Sequence, residues 1–139
     1  MITAERYHDI SCGHRVVGHE SKCRHLHGHN YRVHFAVVAD RLDEVGRVVD
    51  FSVIKKTLCR YLEEQWDHKM LIWEKDPLLP ALREIDLEGI CVVPFNPTAE
   101  NMAEYLLHTI APPLLEPHHC TLHSCRIEET RKCSATVTL

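Results

Sequence analysis

The chain has 139 residues, a formal net charge of -4, and apolar and charged fractions of 45% and 26%, which suits one globular domain spanning residues 1–139 with its own core. No basic tail or stripe is present, which argues against nucleic acid as a partner. No apolar run approaches the roughly 20 residues that cross a bilayer. Met1–Ile10 carries Glu5, Arg6 and Asp9 in place of a signal peptide's apolar stretch, so the reading is cytoplasmic, with reduced thiols. Seven cysteines occur without a Cys-x-x-Cys pair, which disfavours both a disulfide scaffold and a zinc ribbon. Cys59, Cys91, Cys120, Cys125 and Cys133 read mostly as small buried hydrophobes. The twelve histidines are the compositional oddity.

In chain order, residues 2–12 contain the β-compatible Ile2, Thr3, Tyr7 and Ile10 and end at Gly13-His14, which predicts a first strand. From residue 29 to residue 39, Tyr31, Val33, Phe35 and Val37 alternate with Arg32, His34 and Ala36, the period of a half-buried strand. A turn at residues 43–46 follows. Asp50 or Ser52 then caps a helix whose stripe is Val53, Ile54, Leu58, Tyr61 and Leu62. Pro77 and Pro80 bracket an irregular stretch with a short turn at residues 78–84, and residues 89–93 read as extended. Thr98 caps a second helix, with Glu100 in its first turn and Met102, Tyr105, Leu106, Thr109 and Ile110 along its stripe. Pro112-Pro113 is predicted to stop it. Residues 121–129 and 134–139 supply two more strands. The order ββααββ predicts an α+β fold with a four-stranded antiparallel sheet.

The chemistry concentrates in Cys23-Arg24-His25-Leu26-His27-Gly28-His29-Asn30-Tyr31. In an extended chain His27 and His29 share a face and can converge on one ion, with Gly28 leaving room for close backbone approach. His14, if it lies across a hairpin, supplies a third imidazole. Three histidines with an open position are the pattern of a catalytic zinc, although imidazoles also suit iron, nickel or copper. Cys23, four residues before His27, is a candidate base or nucleophile, or else a fourth ligand or an inert thiol. Asp67-His68 reads either as an acid–base pair or as an exposed dipeptide at a helix end. Of Glu128 and Glu129, alternation sends one away from the other without saying which enters a pocket.

Taken together, Ser11-Cys12-Gly13-His14, Cys23 through Asn30, Gly46-Arg47-Val48-Val49-Asp50-Phe51, Asp67-His68, Pro97-Thr98-Ala99-Glu100-Asn101 and Glu129-Thr130 resemble the 6-pyruvoyl-tetrahydropterin synthase family over nearly the whole chain. The likeness is greatest to its bacterial members that form 6-carboxytetrahydropterin in queuosine and deazapurine synthesis. It implies the tunnelling fold, two helices on one face of the sheet, and homo-oligomers closed into barrels. These are commonly trimers stacked into hexamers, with sites between subunits. His14, His27 and His29 are then ligands of one Zn2+ per subunit. Cys23 is similar to the family's catalytic thiol, and Asp67 with His68 to its acid–base pair. Glu129 matches the pterin anchor, and Thr98 and Glu100 match positions near the pterin. Ile10 stands where phenylalanine is usual, and the segment between His14 and Cys23 is short, as in the bacterial members.

The implied reaction is a carbon–carbon lyase step on 7,8-dihydroneopterin triphosphate, releasing acetaldehyde and triphosphate. The alternatives are triphosphate elimination to 6-pyruvoyltetrahydropterin, a carbon–oxygen lyase reaction, and a non-catalytic zinc or pterin module with Cys23 as fourth ligand. Lys22, Arg24 and Arg15 are candidate partners for the triphosphate.

Overall fold

Two long strands, β1 (Ala4–His14) and β2 (His27–Val38), form an antiparallel hairpin at the centre of the computed structural model, which describes residues 1–139. Its register runs from Ala4 opposite Val37 to His14 opposite His27. β1 therefore continues past the predicted end at Cys12, and β2 starts two residues earlier than predicted. Directly opposed residues share a face, so Ile10 and Tyr31, Cys12 and His29, and His14 and His27 make one inward column.

Helix α1 (residues 51–65) follows, with one wide turn at Lys55–Cys59. Asp50 caps it, its carboxylate accepting from the Ser52 N–H at 2.8 Å. Ile54, Leu58 and Leu62 form the buried stripe, with Trp66 closing its end. Strand β3 (Met70–Trp73), helix α2 (Leu79–Ile85) and strand β4 (Ile90–Val93) come next. Helix α3 (residues 99–115) is capped by Thr98, whose side chain accepts from the Asn101 N–H at 3.1 Å. β5 (Thr121–Glu128) and β6 (Ser134–Thr138) complete the sheet.

The four-stranded antiparallel expectation is corrected by two strands. The sheet has six, in the order β4-β3-β1-β2-β5-β6, with β3 parallel to both β1 and β4. β1, β2, β5 and β6 are the predicted antiparallel part. Residues 89–93 are extended, as predicted, but β3 escaped detection because Met-Leu-Ile-Trp is a short continuous apolar run. A strand shielded on both faces shows no alternation. The turn predicted at residues 78–84 is a helix with Pro80 in its first turn, a position where proline's missing N–H costs nothing. Pro112-Pro113 does not stop α3, which runs to Leu115. A wide turn at Leu106–Ile110 ends one residue before the prolines, and this local widening makes room for rings that a regular turn would exclude.

Both long helices pack on the inward face of the sheet. Tyr31, Val33, Phe35 and Val37 of β2 and Leu122, Cys125 and Ile127 of β5 join Ile54, Leu58, Leu62, Met102 and Leu106 in one core. Each large side chain buried there contributes about 1.5–3 kcal/mol. The outward face is polar: Arg32 makes a two-pronged pair with Asp9, at 2.8 and 3.1 Å, and lies 4.1 Å from the centre of the Tyr7 ring. All seven cysteines are free. Cys12, Cys59, Cys120 and Cys125 are buried, whereas Cys133 is exposed. No helix is long and apolar enough to cross a membrane.

Candidate active site

At the His14/His27 end of the hairpin the inward column changes from apolar side chains to imidazoles. One ring nitrogen from each of His14, His27 and His29 lies within 4.8 Å of the others. Cross-strand pairing produces this: His27 opposes His14, and His29 lies two residues along β2 on the same face. Gly28 opposes Gly13, and a Cβ there would sit 3.1 Å from the Cys12 carbonyl oxygen, which accounts for the glycine between the histidines.

The ring orientations are set by backbone. His14 donates through Nδ1 to the Pro97 carbonyl at 2.6 Å, and His27 donates through Nδ1 to the His25 carbonyl at 2.7 Å. That tautomer leaves the two Nε2 lone pairs facing each other at 3.1 Å. His29 Nε2 is buried without a hydrogen-bond partner; Glu129 Oε1 stands 3.4 Å away, poorly aligned for a bond. The facing Nε2 atoms of His14 and His27 and the unpartnered Nε2 of His29 form a donor set that a divalent cation would satisfy together. Burial lowers the pKa of His14 and outweighs the Pro97 carbonyl; His27 and His29 lower it further. Burial lowers that of His29 as well, against the pull of Glu129. Neutral imidazoles are the ligating form. The donor set and its backbone-anchored outer shell therefore fit zinc.

Tyr31, next on the same column, has its hydroxyl 3.2 Å from His14 Nε2, and burial raises its pKa well above the ordinary tyrosine value. Cys23 does not join the donor cluster, which disfavours a closed Cys-His₃ site. It sits half-buried in a tight turn (Lys22–Arg24) whose Cys23 carbonyl accepts from the Val16 N–H at 2.9 Å. Cys12 is a different kind of thiol. Burial, with Asp67 nearby, pushes its pKa up to about 12, so it stays protonated and unreactive.

Asp67 and His68 do touch, with Asp67 Oδ2 3.0 Å from His68 Nδ1. Ser11 fixes the pair: its N–H donates to Asp67 Oδ1 at 2.9 Å and its carbonyl accepts from the His68 N–H at 2.7 Å. His68 takes the left-handed conformation, φ 60°, unusual outside glycine and found where surroundings enforce it. Its ring lines a 490 Å³ cleft with Ser11, Gly13, Gly28, Asn30 and Met70. Cys12 and His29 of the inward column also line this cleft, yet His68 does not join the three-histidine donor cluster, whereas Glu129 stands 3.4 Å from His29.

Glu129 resolves what alternation left open. Glu128 turns outward to His34, at 2.7 Å, while Glu129 faces His29. Thr98 is engaged as the α3 cap, and Glu100 is exposed in the first turn. Arg15 is already committed, to Asp76 at 2.7 Å and to the Arg24 carbonyl at 3.1 Å, which removes it as a free triphosphate partner. Sequence reasoning missed Tyr31, the Pro97 carbonyl, Ser11 and Asn30. The two-residue period from His29 pointed to Tyr31; the others depend on contacts between distant segments.

Three histidines clustered at one end of an α+β sheet with two covering helices make a site able to hold a metal ion. The profile of the 6-pyruvoyl tetrahydropterin synthase family matches residues 3–139. The 6-carboxy-5,6,7,8-tetrahydropterin synthase of Rickettsia felis is 32% identical over 138 residues, covering 99% of this chain and 100% of that protein. Its Aquifex aeolicus counterpart is 37% identical over 89 residues, 61% of this chain and 54% of that one. Among solved structures, an uncharacterized protein of Wolinella succinogenes aligns with TM-score 0.85 and 27% identity, covering 99% and 97% of the two chains. The Caenorhabditis elegans 6-pyruvoyl tetrahydropterin synthase shares the fold at TM-score 0.66 and 24% identity, covering 99% and 95%. The chain belongs to the 6-pyruvoyl tetrahydropterin synthase family, and with it is an enzyme of the lyase class.

Proposed function

We propose that the chain is a zinc-dependent carbon–carbon lyase that converts 7,8-dihydroneopterin triphosphate to 6-carboxy-5,6,7,8-tetrahydropterin, releasing acetaldehyde and triphosphate. The observation that carries this reading is the convergence of three imidazoles beside Glu129. Full-length similarity to a 6-carboxytetrahydropterin synthase supports the choice of reaction. When bound by His14, His27 and His29, zinc supplies Lewis acidity toward the substrate's side-chain hydroxyls.

The remaining residues bind the pterin and move protons. Glu129 accepts from the amino and ring N–H groups of the pterin edge, a two-pronged recognition that fixes its orientation. Thr98 and Glu100 flank that edge from the start of α3. The Cys23 thiol and the His68 imidazole exchange protons at the side-chain carbons, and Asp67 orients His68. His68 lines a cleft with His29 but stays outside the three-histidine donor cluster, which supports a site completed between copies of the chain. A homo-oligomeric barrel of stacked trimers would accomplish this and cover the free edges of β4 and β6. The domain then spans residues 1–139, and its place is the cytoplasm.

Incubation of zinc-loaded protein with 7,8-dihydroneopterin triphosphate, followed by mass analysis of the pterin and assay of acetaldehyde, tests the reaction. Both products are expected. Triphosphate release without acetaldehyde would assign the 6-pyruvoyl-forming reaction instead, and no turnover would overturn both. Cys23→Ala should keep its zinc while turnover falls about 10²–10⁴-fold.

A further inference from the structure

Apart from His14, Asp76 is the one polar or charged residue that is buried, and its side chain is wholly inaccessible. It lies in the turn between β3 and α2. Asp76 Oδ1 accepts from the Leu78 N–H at 2.8 Å, and Oδ2 accepts from Arg15 Nε at 2.7 Å. A buried carboxylate held to a guanidinium is costly to assemble and is rarely an accident of packing. Arg15 is the residue immediately after His14, and it continues past Asp76 to donate through Nη1 to the Arg24 carbonyl at 3.1 Å. The preceding carbonyl, that of Cys23, accepts from the Val16 N–H at 2.9 Å. The consecutive carbonyls of Cys23 and Arg24 are thus tied to the two residues that follow His14. Asn96 holds the next residue, accepting from the Val17 N–H at 3.0 Å and donating to the Val17 carbonyl at 2.9 Å.

We propose that Arg15 and Asp76 are positioning residues that fix the Cys23 turn against the histidine end of the hairpin, Asp76 anchoring the guanidinium that Arg15 extends to the turn. This deepens the lyase reading and rests on it for the role of Cys23. The guanidinium spans two acceptors in different segments, which a point-charge ammonium cannot reproduce. A lysine at residue 15 keeps the ion pair with Asp76 and loses the tie to Arg24, so the two contributions separate.

The decisive variant is Arg15→Lys, compared with wild type for zinc content, melting temperature, kcat, KM and the rate of iodoacetamide alkylation at Cys23, read by peptide mass spectrometry. Zinc content, melting temperature and KM should stay near wild type, while kcat falls on the order of 100-fold. Alkylation of Cys23 should quicken severalfold as the turn loosens. Wild-type kcat in Arg15→Lys would overturn the proposal, as would a fall in kcat with unchanged Cys23 alkylation. If Arg15→Lys does not fold, Asp76→Asn is judged by the same criteria, because it preserves shape while unanchoring Arg15. The alkylation arm needs no substrate: absence of turnover in wild type would sink the lyase reading, whereas unaltered alkylation would sink the clamp.

Discussion

The inward column of the β1–β2 hairpin has two ends with the same backbone and opposite chemistry. At one end Val33, Phe35 and Val37 are completely inaccessible beneath the helices. At the other the same period delivers His29 and His27, with His14 across the strand pair. In the apolar half the side chains satisfy one another by contact alone. In the histidine half, the His14 and His27 rings are oriented by carbonyls at 2.6 and 2.7 Å, and one nitrogen of each converges with one of His29. The first half makes stability and the second gathers ligating nitrogens. One strand pair can do both because alternation specifies a face, not a polarity.

Changes confined to one end should separate these contributions. The largest effect is expected from His29→Ala, which removes a donor without opening the core. Zinc affinity should fall more than about 100-fold and turnover should vanish with it, while the chelated protein stays folded; metal analysis and circular dichroism would check this. A variant that keeps its zinc would contradict the three-histidine site. Phe35→Ala should do the reverse, costing about 3–5 kcal/mol by leaving a cavity, with zinc content unchanged in the protein that remains folded. Chemical denaturation gives the first quantity and metal analysis the second. Coincident loss of zinc and stability would mean that the two halves are coupled.

The smallest effect concerns pH. Burial alone would raise the Asp67 carboxyl, but the Ser11 N–H, His68 and Glu63 hold it below the ordinary value of 3.8. The stability it contributes is present above the unfolded value and is lost as pH falls through the folded one. Wild type should therefore show a destabilisation below about pH 4 that Asp67→Asn lacks. Identical acid limbs in urea titrations of the two proteins would remove Asp67 from this account.

How far these features were legible depended on the range of the interaction that makes them. The caps at Asp50 and Thr98 were readable because a cap is settled within three residues. His27 and His29 were readable for the same local reason. β3 was not, since its apolar run carries no period, and Pro112-Pro113 misled because a wide turn upstream accommodates the rings.

By itself the sequence determined which side chains share a face. Strand and helix periods are properties of consecutive residues, and the histidine pair, the core stripes and the family likeness all follow from them. Only the tertiary structure decided which face met which segment. It placed the Pro97 carbonyl behind His14, Glu129 rather than Glu128 beside His29, and Asp76 beneath Arg15. Each of those contacts joins residues more than sixty positions apart. Such pairings are set by strand order, register and burial acting together, which no local spacing encodes.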